Sequence, residues 1–214
     1  MSVTNASCPA GESTCPYIGE VQELRQQVIT DPLTGLFNVR HFRASLDHEL
    51  ERTRRTGMVT ALIMIDLDHF KRINDEYGHE NGNRVLEAVA ELLNQQTRRL
   101  DICCRYGGEE FAVILPSTEL MLAKQVAERF RQALESMSIE LSEGHIQVTA
   151  SLGIAMADQR QEITGKALVA LADACLYESK SQGRNRVTVH LPKPSESRVS
   201  ADEKDALRNL FSND

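Results

Sequence analysis

Apolar residues recur along this chain at two alternating periods, and the alternation marks out its elements. Val39, Phe42, Leu46 and Leu50 fall three or four apart and predict a helix with one apolar face. The basic cluster Arg52, Arg54 and Arg55 ends it, where a helix C-terminus favours cations. Val59-Thr60-Ala61-Leu62-Ile63-Met64-Ile65 is a continuous apolar run, too short for a membrane span, and predicts a buried strand ending in Asp66-Leu67-Asp68. Asp68 is the expected N-cap of a short helix through Phe70, Lys71, Ile73 and Asn74 that halts at Gly78. Val85, Leu86, Val89, Leu92 and Leu93 mark a longer helix, and Val126, Phe130, Leu134 and Met137 another. Ile139 to Leu141 and Ile146 to Ile154 predict a hairpin turning at Ser142-Glu143-Gly144. A helix then carries Leu168, Leu171, Cys175 and Leu176 to near Gly183, and Val187 to Leu191 closes as a strand.

Helices interleaved with strands, some of them joined as hairpins, exclude an all-parallel sheet. The predicted class is α+β, with a mixed, mostly antiparallel central sheet of about five strands covered by helices. The two ends read differently. Residues 1–17 have little to bury and predict a disordered segment. Residues 18–30 predict a stalk helix in which Val21, Leu24 and Val28 take coiled-coil seam spacing, over too short a stretch to pair stably unaided. Residues 31–191 form the expected domain. In 192–214 a Pro- and Ser-rich linker leads to a short helix, with Ser200 and Glu203 as a capping box before Ala206, Leu207, Leu210 and Phe211. Docking of that helix and a frayed, inert tail are equal readings of the pattern.

The most informative polar stretch is Arg105-Tyr106-Gly107-Gly108-Glu109-Glu110, which leads directly into the apolar Phe111 to Leu115. Two glycines between β-prone runs predict a tight turn at φ > 0, with Glu109 and Glu110 leaving on opposite faces of the outgoing strand. Alone, this reads first as an ordinary hairpin with solvated acids. Beside the Asp66 strand, whose following helix offers free amides, it points to phosphate with a divalent cation.

The composition narrows the partners. The chain has 214 residues, enough for one sizeable domain with extensions, and 24 Lys and Arg against 31 Asp and Glu for a net charge of -7. That balance argues against a nucleic-acid or anionic-membrane surface, so basic groups that grip phosphate must be concentrated locally. No apolar stretch approaches eighteen residues and the first fifteen lack a secretory pattern. The five cysteines, including Cys8 and Cys15, show no Cys-x-x-Cys spacing. A cytoplasmic protein without a membrane span, disulfide framework or zinc site is expected.

Five separated segments carry a family resemblance. They are Asp31-Pro32-Leu33-Thr34-Gly35-Leu36-Phe37-Asn38, Asp66 through Asp75, Gly78-His79 with Gly82, Gly107-Gly108-Glu109-Glu110-Phe111, and Ala172-Asp173 through Tyr177, Lys180 and Gly183-Arg184-Asn185. The chain resembles GGDEF-domain diguanylate cyclases, in a GGEEF form, over residues 31–190. The resemblance implies a nucleotide-cyclase and polymerase-palm fold, and condensation of two GTP into cyclic di-GMP with release of two pyrophosphates. It implies Mg2+ or Mn2+ held by Asp66, Glu109 and the Leu67 carbonyl, with Glu110 near the attacking 3′-hydroxyl. It implies phosphate contacts from Lys180, Arg184 and the backbone at Phe70 and Lys71, and guanine contacts from Asn74 and position 83. Lys180 and Arg184, read as one face of a helix end, would equally answer the helix dipole.

Position 83 departs from the family pattern: Asn83 stands where an Asp is usual. An amide gives a neutral hydrogen bond in place of a charge-assisted one, so weaker GTP affinity and softer rejection of ATP are expected. Arg98 and Asp101 have the spacing of the family's product-inhibition site, though such a pair is also common at solvated helix ends. The resemblance further implies a catalytic homodimer, and the stalk helix is the expected place for an activating protein partner. The alternative function is a catalytically weak domain that binds GTP or cyclic di-GMP as a regulatory module.

Overall fold

Eight consecutive buried residues make β2 (Thr60–Leu67) the middle of the sheet, as its unbroken apolar run requires. The computed structural model describes residues 29–160 and 162–191. The expected disordered start, most of the stalk helix, the C-terminal linker and helix, Cys8 and Cys15 lie outside the described residues. Around β2 the chain runs β1 (Phe37–Asn38), α1 (Val39–Thr56), β2, α2 (Phe70–Gln96), β3 (Ile102–Arg105), β4 (Glu110–Pro116), α3 (Leu120–Ser136), β5 (Ile139–Glu140), β6 (His145–Ile146), β7 (Ala150–Ala157), α4 (Gly165–Ser181) and β8 (Val187–Val189).

Six strands form one sheet in the order β1-β3-β4-β2-β7-β8. The inner pairs are antiparallel, while β1 pairs β3 and β8 pairs β7 in parallel, so the sheet is mixed and mostly antiparallel. Side-chain alternation divides β2 between two cores. Ala61, Ile63, Ile65 and Leu67 join the cluster that holds Val85, Val89 and Leu93 of α2 and Phe130 and Leu134 of α3. Leu62 and Met64 join Phe42, Leu46 and Leu50 of α1 and Leu168, Ala172 and Leu176 of α4. Helices therefore cover both faces, and Asp66 follows Leu62 and Met64 onto the side of α1 and α4.

Glycine sets one helix close to the sheet. A Cβ on Gly153 of β7 would collide with the Ala172 carbonyl and the Leu176 amide, so α4 packs backbone against backbone there. The α1 helix is closed at both ends as its sequence suggests: Asn38 accepts from the amides of Arg40 and His41, and Gly57 takes φ 77 at the C-cap.

Several expectations need correction. The sheet of about five strands is as expected in class and has six, the two-residue β1 carrying too little pattern to be seen in the sequence. The run from Ile146 to Ile154 is split: β6 pairs with β5 in a separate ribbon, and β7 begins at Ala150 in the main sheet. The last strand ends at Val189 rather than Leu191. Gly78, by contrast, halts the first short helix as expected: at φ 81 and ψ 161 it is non-helical, so α2 is two helical segments joined at a kink there. Asp68 is not the helix cap; His69 holds that position in the left-handed region at φ 59 and makes no side-chain capping bond.

Candidate functional site

Register brings the acids together. Asp66 of β2 lies directly opposite Glu110 of β4, and directly opposite residues of an antiparallel pair project on the same face. On the other flank Asp66 faces Ser151 of β7. The Leu67 amide donates to the Glu109 carbonyl at 3.3 Å, which draws the glycine turn against the end of β2. Lys180, in the last turn of α4, places Nζ 2.7 Å from Asp66 Oδ2, with the Asp66 side chain 11% exposed and that of Lys180 33%.

The charge balance at this end of the sheet is acidic. Burial pushes the Glu110 carboxyl above its ordinary value, and Asp66 adds to the rise. Lys180 pulls it down, whereas Asp173 and Glu109 push it further up. Asp173 is itself raised by burial and lowered by Lys180. It precedes Lys180 by two helical turns, so it shares a face with it; the spacing within the Ala172-Asp173 motif was the signal for this additional acid.

Neither glycine of the turn adopts the expected positive φ. A Cβ on Gly107 would displace the Glu110 carboxylate at Oε2, whereas Gly108 faces open room. Glu109 stays in the turn and the strand begins at Glu110, so the two acids are not successive strand residues as expected. The turn is anchored from outside: Arg105 donates through Nε and a terminal nitrogen to the Gly108 carbonyl at 3.2 and 2.9 Å. The same guanidinium contacts both Asp31 oxygens at 3.2 and 3.3 Å, and Asp31 also accepts the Thr34 amide and hydroxyl. Burial pushes the Asp31 carboxyl up, but the bonds from Thr34 and Arg105 outweigh it and hold the group below its ordinary value.

Phe70 is buried while Lys71 is exposed, and both begin α2, whose first amides have no acceptor within the helix. His69 supplies no side-chain cap to them, and a helix start of that kind is suited to an anion. Asn74 and Asn83 lie on either side of the Gly78 kink, half-buried and exposed respectively. A Cβ on Gly82 would collide with Asn74 Oδ1, so that glycine leaves room for the Asn74 amide.

Arg184 does not share a helix face with Lys180. The α4 helix ends at Ser181, and Arg184 follows in a turn at φ 64, its amide bonded to the Ser179 carbonyl at 3.0 Å. Arg98 and Asp101 lie between α2 and β3, separated from the glycine turn by the length of β3, beside a cavity of about 380 Å³. There the Arg98 amide donates to Asp101 Oδ2 at 2.7 Å, and burial raises the Asp101 carboxyl while that bond lowers it. A larger cavity of about 510 Å³ between α1 and the start of α4 contains none of the clustered acids, so the site follows the charge rather than the volume.

The donor set suits a hard divalent cation. Among the described residues no three His, Cys, Asp or Glu side chains converge as a complete ligand group. The carboxylates of Asp66 and Glu109 and the Leu67 carbonyl are nevertheless all oxygen, and substrate phosphate normally completes a magnesium shell. The Lys180 ammonium already sets a cation against Asp66, while the Glu110 carboxyl is raised first by burial and then by the neighbouring acids.

Comparison with known proteins addresses the whole domain. The family model described as "Diguanylate cyclase, GGDEF domain" matches residues 28–186. Diguanylate cyclase DgcP of Pseudomonas aeruginosa is 38% identical over 173 residues, covering 81% of this chain but only 26% of DgcP. The coiled coil and GGDEF domain of DgcB from Caulobacter crescentus, solved in complex with c-di-GMP, superposes at TM-score 0.76 with 31% identity, over 80% of this chain and 91% of that one. Diguanylate cyclase SiaD of Pseudomonas aeruginosa, solved with its activator SiaC, superposes at TM-score 0.74 with 37% identity, over 80% of this chain and 65% of that one.

Proposed function

The chain belongs to the GGDEF diguanylate cyclase family, and from that premise we propose that it condenses two GTP into cyclic di-GMP at the Asp66, Glu109 and Glu110 cluster. The observation that carries this reading is the cross-strand pairing of Asp66 with Glu110 under the Lys180 ammonium, beside an uncapped helix start. Acids and bases collected at one end of a rigid sheet suit a triphosphate that arrives with its own cation.

In each half-reaction the 3′-oxygen of one GTP forms a bond to the α-phosphorus of the other. The bridging bond from the α-phosphorus to the β-phosphate oxygen breaks and pyrophosphate leaves; the hydroxyl proton passes to Glu110 or to water. A raised carboxyl is suited to accept it, because its proton affinity lies closer to neutral pH. Lys180 and Arg184 bind the triphosphate, and the amides at Phe70 and Lys71 cradle it. Asn74 and Asn83 read guanine. Asp66, Glu109 and the Leu67 carbonyl would hold Mg2+ or Mn2+, which when bound polarises the α-phosphate and lowers the pKa of the attacking hydroxyl. One protomer supplies one GTP, so ring closure requires two protomers facing each other about a two-fold axis.

Arg98 and Asp101 form the proposed product site, in keeping with their place beside a cavity apart from the acids. The stalk helix is the proposed seat of an activating protein, a reading helped by the solved complex of SiaD with SiaC. Asn83 favours one further reading, a weakly catalytic domain that chiefly binds nucleotide. Incubation with GTP and magnesium, followed by chromatography, separates the two. Cyclic di-GMP from the wild type and none from Asp66→Ala supports the enzyme; GTP binding without product supports the module.

A further inference from the structure

Asp68 is buried and stands one residue from Leu67, yet the chemistry proposed above leaves it unused. Its oxygens are engaged elsewhere. Oδ1 accepts the Ser151 hydroxyl at 2.7 Å; Oδ2 accepts the Thr149 hydroxyl at 2.7 Å and the backbone amide of Asn185 at 3.0 Å. The Asp68 amide donates to the Thr149 carbonyl at 2.9 Å, which fixes the carboxylate against the start of β7.

Asn185 belongs to the turn between α4 and β8, and that turn is conformationally demanding. Arg184 and Asn185 take φ values of 64 and 47, consecutive residues in a region that side chains with a Cβ disfavour. Such a turn persists only where its surroundings hold it. Four attachments do so here: the Arg184 amide to the Ser179 carbonyl at 3.0 Å, Arg186 Nε to the Arg184 carbonyl at 3.2 Å, the Asn185 side chain to Arg131 and Glu135 of α3 at 2.8 Å each, and the Asn185 amide to Asp68. Only the last comes from the strand end that carries Asp66.

From these contacts we infer that Asp68 is a positioning residue: its carboxylate holds the α4–β8 turn in the left-handed form and thereby aims Arg184 at the phosphates gripped by Lys180. A carboxylate suits this role because Oδ2 faces two donors, one of them a backbone amide that cannot turn away. An amide at position 68 would keep the shape and weaken the bond from charge-assisted to neutral. The inference rests on the cyclase reading for the identity of the phosphates, whereas the coupling of Asp68 to Arg184 can be read from nucleotide binding alone.

The test is a double-mutant cycle of wild type, Asp68→Asn, Arg184→Ala and the double variant. Each protein is assayed for GTP turnover, titrated calorimetrically with GTP and magnesium, and melted thermally. Asp68→Asn is expected to raise the KM for GTP about fivefold with kcat little changed. Arg184→Ala is expected to raise KM further, and adding Asp68→Asn to it should then have no additional effect. An equal rise in both backgrounds would overturn the inference, and so would a fall in kcat or melting temperature with KM unchanged. If the wild type binds GTP but makes no product, the cyclase reading fails while the calorimetric cycle still decides the coupling. Should Asp68→Asn fold poorly, Asn185→Gly, which keeps the amide and suits positive φ, must leave KM near the wild-type value; a rise equal to that of Arg184→Ala would place the control in the Asn185 side chain and overturn the role of Asp68.

Discussion

At the residue scale, the side chains of Asn74 and Glu110 and the missing one of Gly82 make the proposed site testable. Substituting Gly82→Ala pushes a methyl into Asn74 Oδ1, the far end of a side chain that can swing aside. The fold should survive with a small change in melting temperature, whereas the KM for GTP should rise about tenfold as the Asn74 amide leaves its place. Unchanged KM would remove Asn74 from the guanine contacts. Glu110 gives a pH signature. Its carboxyl is raised in the folded state, so the native protein binds that proton more tightly than the unfolded chain does. The group therefore costs nothing at low pH. Its penalty develops as pH climbs through the carboxylate range and persists above it. Glu110→Gln should abolish turnover yet increase the melting temperature near pH 7, with the gain vanishing near pH 4; an equal gain at both pH values would contradict the charge explanation.

At the element scale, the packing of α4 on β7 aligns Lys180 with Asp66. Gly153→Ala directs its methyl at the backbone of α4, at the Ala172 carbonyl and the Leu176 amide, which have no rotamer to change. We expect a loss of about 3 kcal/mol in denaturant unfolding and a fall in activity greater than that of Gly108→Ala, where the added methyl meets open space. The strands and helices themselves were legible in the sequence because their patterns are long. The β2 run, the α1 stripe and the β4 run after the paired glycines all hold. What escaped was set by contacts distant in sequence. Asp68 has the composition of a helix cap, but Thr149, Ser151 and Asn185 claim its oxygens, and His69 takes the left-handed position instead. Arg184 follows Lys180 at helical spacing, yet the helix ends at Ser181 and Arg184 is held by the following turn at φ 64 instead of by a helix face. The meeting of Asp66 with Glu110 depends on register, which a sequence pattern cannot assign across the 43 positions between them, although the motifs had singled out each residue separately.

At the scale of the whole molecule, the proposed reaction is intermolecular, and this has a kinetic consequence. Turnover per protomer should rise with protein concentration until the dimer saturates, and removing residues 1–28 should abolish activation by a partner while leaving the described domain folded. Turnover per protomer that stays flat over a hundredfold dilution would contradict the dimer requirement. Among the described residues no helix is long and apolar enough to cross a membrane. Cys103, Cys104 and Cys175 are free and buried, and burial pushes the first two thiols up to about 11 and about 12, so none is poised as a thiolate.

The placement of Asp66 at the end of a strand bonded on both edges has one more consequence. Amides in the middle of β2 are shielded on both faces and should exchange with deuterated solvent only when the entire domain opens. The acid is thus mounted at the end of the strand expected to exchange slowest. Deuterium uptake should then find faster exchange at the Gly78 kink of α2 than in β2, an adjustable jaw beside a fixed anvil.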